Sequence, residues 1–205
     1  MARHAHEGDD SMNLRSWVRV AVLAAVVSLG AGFVAAAPLT GAKPASPQPA
    51  ADKLTPGLAV NYNYAMFHYV NEVAKAGKGK PGKPLANLDH KTDNGNVLTA
   101  DASMGVGALI TGFIKLDKPG TYVFKVLSND GVKLTIGGVL IHEDPGVHSD
   151  TMSPPIELAV TEPGWFPLAI DYFQRKGTSA LKLYWTPPGG SEAIVPPDAF
   201  AHIKS

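Results

Sequence analysis

The 205-residue sequence contains no cysteine. That excludes a disulfide scaffold, a thiolate metal site and a lipid anchor on cysteine. It leaves export open, because a domain of this size buries a sufficient core without covalent staples. Net charge is missing too, with 18 basic residues against 18 acidic ones. Residues 1–36 hold three of each, so the remainder is also neutral. Nothing global points to nucleic acid or to an acidic membrane surface. Catalytic signatures are equally scarce. The chain has no Gly-x-Ser-x-Gly elbow, no phosphate-binding glycine loop and no His-Glu-x-x-His. Glu157 and Asp171 occupy predicted strand positions, but nothing places them as an acid/base pair across a sugar. No internal repeat is evident, and helical periodicity is sparse.

What is present begins with the N-terminus. Arg15 and Arg19 precede Val20–Ala37, a run without charge that ends in Val34-Ala35-Ala36-Ala37. This positive, apolar, small-residue layout reads as a secretory signal over residues 1–36, with Met12 as an alternative start. The rival reading is an uncleaved anchor, since about 18 uncharged residues approach the length of a bilayer span. Membrane contact would then run only through residues 15–37. Either way the basic residues stay in the cytoplasm and the C-terminal part crosses. The expected location is secreted or periplasmic, or anchored in the inner membrane with the domain outside the cytoplasm. Residues 37–56, rich in Ala and Pro, read as a flexible or semi-extended linker. Residues 57–205 then form one domain of ordinary size.

The most regular stretch is Gly120–Gly138. Tyr122, Phe124 and Val126 share one face of a first run, and Val132, Leu134 and Ile136 share one face of a second. Such alternation is the signature of half-buried strands. Ser128-Asn129-Asp130-Gly131 lies between them and has the composition of a turn. With Val139-Leu140-Ile141 the stretch reads as a three-stranded meander. Further strands are predicted at Gly57–Tyr64, Ala108–Leu116, around Ile156–Val160, Phe166–Tyr172 and Leu181–Trp185. Phe67–Ala74 fits either a strand or a short helix. Lys75–Lys83 reads as a mobile loop with four lysines, or as a contact for an anionic glycan or phosphate. Seven or more strands at this spacing argue an all-β, antiparallel sandwich or barrel.

Their order resembles the protective-antigen domain family, the N-terminal domain of anthrax protective antigen that is shared with yeast flocculins and adhesins and with bacterial glycosidases. The features that carry the resemblance are Gly120-Thr121-Tyr122-Val123-Phe124, then Ser128-Asn129-Asp130-Gly131, then Leu134-Thr135-Ile136-Gly137-Gly138. They continue with Val147-His148, with Pro163-Gly164-Trp165 through Tyr172, and with Leu181-Lys182-Leu183-Tyr184-Trp185. The resemblance implies a β-sandwich or barrel that commonly binds carbohydrate. In the flocculin branch two adjacent aspartates joined by a cis peptide bind calcium, which in turn holds sugar hydroxyls. Here the first aspartate is Asn129 and only Asp130 is charged. Loss of a carboxylate weakens calcium binding.

Asn129 and Asp130 are therefore candidate ligand-binding and metal-binding residues, against the plainer reading that they only cap a turn. His148 belongs to a loop that gathers His142, Glu143, Asp144 and Asp150, a concentration without a recognised metal motif. Trp165 lies opposite the parity of Phe166, Leu168 and Ile170, so it is expected to face outward as a stacking platform. Trp185 shares the parity of Leu181 and Leu183 and is expected in the core. Tyr62, Tyr64 and Tyr69 are ambiguous. The function these features imply is an exported, non-catalytic carbohydrate-binding module that takes a glycan or cell-envelope polysaccharide, with or without calcium. The alternative is a structural or adhesive envelope module that binds a protein partner.

Overall fold

The computed structural model describes residues 36–204. The predicted signal segment lies outside the described residues except for Ala36. Among the described residues no helix is long and apolar enough to cross a membrane.

The early strands are β1 (Leu54–Pro56), β2 (Ala59–Tyr64), β3 (Lys80–Pro81) and β4 (Asp89–Thr92). The central ones are β5 (Val106–Leu116), β6 (Gly120–Ser128), β7 (Val132–Ile136), β8 (Val139–Asp144) and β9 (Thr151–Met152). The chain closes with β10 (Ile156–Val160), β11 (Gly164–Gln174), β12 (Ser179–Thr186), β13 (Ala193–Ile194) and β14 (Phe200–Ile203). They form two antiparallel sheets. One runs β1-β14-β5-β11-β7-β8, with β2 beside β14 on the same edge of β5 and β3 on β2. The other runs β10-β6-β12-β13, with β9 on β6 and β4 on β12. The predicted all-β sandwich is the observed architecture.

Alternation decides which residues lie between the layers. Tyr122, Phe124 and Val126 from β6 and Leu181 and Leu183 from β12 belong to the same buried cluster as Ile110 and Ile114 from β5 and Phe166, Leu168, Ile170 and Tyr172 from β11. Burying each large apolar side chain contributes about 1.5–3 kcal/mol. Trp185 sits at the rim, partly buried, with its ring 5.8 Å from that of Tyr122. The β7–β8 hairpin turns at Gly137 and Gly138, with φ of +57° and +83°. Two successive positive φ values are what a tight hairpin of the right twist requires, and glycine meets them without steric cost.

The structure corrects the predicted meander. β6 and β7 do not pair, because they belong to different sheets. Ser128–Gly131 is a crossover from one layer to the other. The backbone N–H of Asn129 donates to Ala180 O on one sheet, and Gly131 O accepts from Phe173 on the other. Period-two alternation marks strands but does not say which sheet each one joins.

The expected linker is also different. The Leu39 N–H donates to Glu157 O at 2.7 Å, Lys43 to Gly137 O at 3.0 Å and Ala45 to Trp165 O at 2.8 Å. Leu39 and Ala42 pack on the main core. The segment docks through backbone groups, which proline- and alanine-rich composition does not reveal. The open choice at Phe67–Ala74 resolves as a short helix, α1 (Asn71–Lys75). Its Glu72 carboxylate accepts the His68 and Tyr69 N–H groups at 2.8 and 3.1 Å, tying the approach segment to the first turn. Phe67, Val70 and Val73 pack with Phe173 in a small second cluster.

Candidate functional site

The crossover makes Ser128, Asn129 and Asp130 interior residues, at 2%, 5% and 2% exposure. Asp130 has φ of +60°, a left-handed conformation that aspartate tolerates better than most residues. Its carboxylate is a clamp. Oδ2 accepts the Arg175 N–H at 2.7 Å, and Oδ1 accepts the His148 N–H at 3.2 Å. The Asp130 N–H donates in turn to His148 O at 3.0 Å. Residues 130, 148 and 175 thus bind three loops into one end of the sandwich. Burial pushes the Asp130 carboxyl up from its ordinary value, and the two backbone donors pull it part of the way back. The Asn129–Asp130 peptide is not cis; among the described residues the cis bond is Ser46–Pro47.

Asn129 is equally committed. Its Nδ2 donates to Asp150 Oδ1 at 2.8 Å and to Thr178 Oγ1 at 2.9 Å. Asp150 Oδ2 lies 2.9 Å from Lys91 Nζ. The Lys91 hydrogen bond, helped by Asn129, holds the Asp150 carboxyl below the usual carboxylate range. Calcium takes six to eight oxygens with several carboxylates among them. The groups here are one buried carboxylate whose two oxygens both face backbone N–H, one amide whose nitrogen donates twice, and one carboxylate paired with lysine. This turn gathers fewer free carboxylate oxygens than a calcium site usually does. Among the described residues no three His, Asp or Glu side chains converge as a metal-ion group.

What this end presents to solvent is its rim. His148 Nδ1 donates to Ser149 O at 2.7 Å. Its Nε2 lies 3.2 Å from Asp144 Oδ2, a close contact without hydrogen-bond alignment. A bulge sets up the Asp144 position. His142 opposes Leu134 and Leu140 opposes Thr135, so Ile141 is the extra residue in β8. The segment before α1 covers one flank, where the Val70 N–H donates to Pro145 O at 2.9 Å. Arg175 Nη2 donates to His68 Nε2 at 3.3 Å. Tyr69, between His68 and Val70, is 58% exposed.

The sequence therefore names three residues that the fold brings together, Asn129, Asp130 and His148. It misses Arg175, Thr178 and Lys91, and leaves Tyr69 ambiguous. Arg175 acts on Asp130 through its backbone N–H, so no residue type could have signalled it.

Trp165 is not part of this cluster. It stands near the start of β11, eight residues and about 26 Å of extended strand from Phe173 at the clamp end. It is partly exposed, and Lys115, its cross-strand partner on β5, holds an ammonium 5.9 Å from the indole centroid.

Comparison with known proteins is consistent with this architecture. The profile of the PA14 domain matches residues 91–199, just over half of the chain. An anti-sigma factor domain-containing protein superposes with a TM-score of 0.61 at 18% identity over 74% of this chain, which spans 50% of that protein. The PA14 sugar-binding domain from an RTX adhesin gives 0.58 at 21% identity, over 72% of this chain and 98% of that one. An epithelial adhesin A domain from Candida glabrata, solved with Galb1-4GlcNAc, gives 0.59 at 12% identity, over 77% and 94%. At these identities the structural likeness is one of fold. No curated protein matches in sequence.

Proposed function

The chain belongs to the PA14 domain family, and from that premise we propose that it is a non-catalytic glycan-binding domain working outside the cytoplasm. The observation that carries the reading is the clamped loop end. Asp130 fixes two loops whose rim offers an aromatic ring, Tyr69, beside the polar heads of His68, Asp144 and Arg175, with the His148 ring packed behind Asp144. A sugar presents a C–H face and a ring of hydroxyls, and such a rim complements both. The RTX adhesin and Candida glabrata neighbours support the same reading, since their names carry a sugar-binding domain and a bound disaccharide. Asp130 and Asn129 then act as positioning residues, and binding proceeds without calcium at this turn. The strand carboxylates Glu157 and Asp171 belong to different sheets, which fits a domain without an acid/base pair. The signal-like residues 1–36 support export to the periplasm or beyond, or an anchored form facing outward.

A glycan array of the full chain tests this, with Tyr69→Ala and His148→Ala beside it. Hits on neutral oligosaccharides are expected, a set of which both variants weaken. An empty array removes the function, and an array on which neither change weakens any hit removes this site. The adhesive alternative draws on Tyr64, Met66 and Met104, each about half exposed at the same end. There a protein partner retained from the native envelope, with an empty array, is the deciding result.

A further inference from the structure

We infer that the opposite end of the sandwich holds a second glycan site, a groove with Trp165 on one arm and Trp185 on the other. Two cavities meet there. One of about 440 Å³ is lined by Trp165, Leu54 and Pro56. The other, of about 270 Å³, is lined by Trp185, Asp117 and Lys118. Lys115 and Asp198 line both, so the two adjoin across these side chains. Their volumes are of the order of small-ligand sites, which run from roughly 300 to 1,000 Å³.

The platforms are held in place before any ligand arrives. The docked N-terminal segment grips the Trp165 backbone on both sides. Its N–H donates to Gln48 Oε1 at 2.7 Å, and its carbonyl accepts from Gln48 Nε2 at 3.1 Å and from the Ala45 N–H at 2.8 Å. Trp185 is fixed by its contact with Tyr122, whose hydroxyl accepts the Lys118 N–H at 3.1 Å. Both indoles keep an exposed portion.

The polar heads indicate the ligand class. Lys115, Lys118, Asp117 and Asp198 are all exposed, and among the described residues none of them lies in an ion pair. Two cations and two anions leave the groove neutral and supply both donors and acceptors. Two stacking faces separated by such groups suit a neutral oligosaccharide of two or more rings. An acidic polymer would meet Asp117 and Asp198, and a purely apolar ligand would leave four charges uncompensated. The inference rests on the glycan-binding reading and adds a site that the clamp end does not contain. With sites at both ends, one domain can bridge two polysaccharide strands or engage one strand twice, which raises avidity without new contacts.

The test uses the full chain labelled with 5-fluorotryptophan, whose three resonances are assigned with Trp17→Phe, Trp165→Phe and Trp185→Phe. Cellotriose and triacetylchitotriose are titrated to about 10 mM, the weak end of useful affinity. The Trp165 and Trp185 resonances should move together and that of Trp17 should not. Trp165→Ala, an outer-face change checked by its melting curve, should weaken this binding about tenfold or more. Static Trp165 and Trp185 signals, or an affinity within about twofold of wild type in Trp165→Ala, overturn the inference. If array hits persist while the groove stays silent, the inference fails and the clamp-end reading stands. An empty array and a silent groove remove both.

Discussion

Replacing Asp130 with alanine is the most informative single change, because the residue joins three loops and carries a buried charge. The substitution removes the acceptor of the Arg175 and His148 N–H groups, at 2.7 and 3.2 Å. Each donor left unpaired in the interior costs about 1–3 kcal/mol. Alanine at a φ of +60° adds up to about 1 kcal/mol, since it lacks the short polar side chain that eases aspartate into the left-handed region. Against this stands the relief of a buried carboxylate. Burial raises the folded-state carboxyl above its unfolded value, so its favourable contribution is full at acid pH and is lost as pH rises through the folded value. At pH 7 the native state therefore bears part of the cost of the charge, and removing it recovers that part. The net loss is about 2–4 kcal/mol. For a chain of this size that lowers Tm by about 5–15 °C. Differential scanning calorimetry at pH 7 measures it, with Asp130→Asn alongside. Asparagine keeps a single acceptor oxygen and turns an N–H donor toward one of the backbone donors, so it should not rescue. A variant that melts within about 2 °C of wild type would show that Asp130 is no clamp and that the buried end is held by packing alone.

Three further outcomes follow from named contacts. Burial lowers the pKa of His90, and its Nε2 accepts the Leu98 N–H at 3.3 Å, so protonation breaks that bond. A lowered histidine stabilises the fold above its unfolded pKa and loses that contribution as pH falls, so urea stability should drop from about pH 7 to pH 5 and His90→Gln should flatten the profile. If the two profiles run parallel, His90 is not the source. Calorimetric titration with calcium should show no binding, or binding at about 10⁻⁴ M or weaker, and submicromolar affinity would mean that Asp144 or Asp150 swings in to supply the missing charge. Gly131→Ala would drive a methyl group into the Phe173 ring and to 2.9 Å from Pro145 O, costing about 1–3 kcal/mol by chemical denaturation. An unchanged midpoint would show that the crossover can shift.

The sequence alone determined the class of fold. Tyr122, Phe124, Val126, Leu134, Ile136, Leu168 and Ile170 alternate because a strand turns successive side chains to opposite faces, and all of them are buried where the alternation puts them. The family features were legible for the same reason: glycine turns and strand ends are local, and local geometry is written in local residue types. Trp165 facing outward was legible too, by parity. Tertiary structure decided everything that depends on which segments meet. No periodicity says that β6 and β7 join different sheets, so a stretch that reads as an exposed turn became a buried crossover. Nothing in an Ala/Pro-rich stretch says that its amides will donate to Glu157, Gly137 and Trp165, because backbone hydrogen bonds carry no residue signature. Asp130 was visible as a residue, but its partners are the amides of His148 and Arg175, 18 and 45 positions away. The groove between Trp165 and Trp185 draws on five separate segments, and only the packing of two sheets with a docked N-terminal segment brings their side chains to one surface.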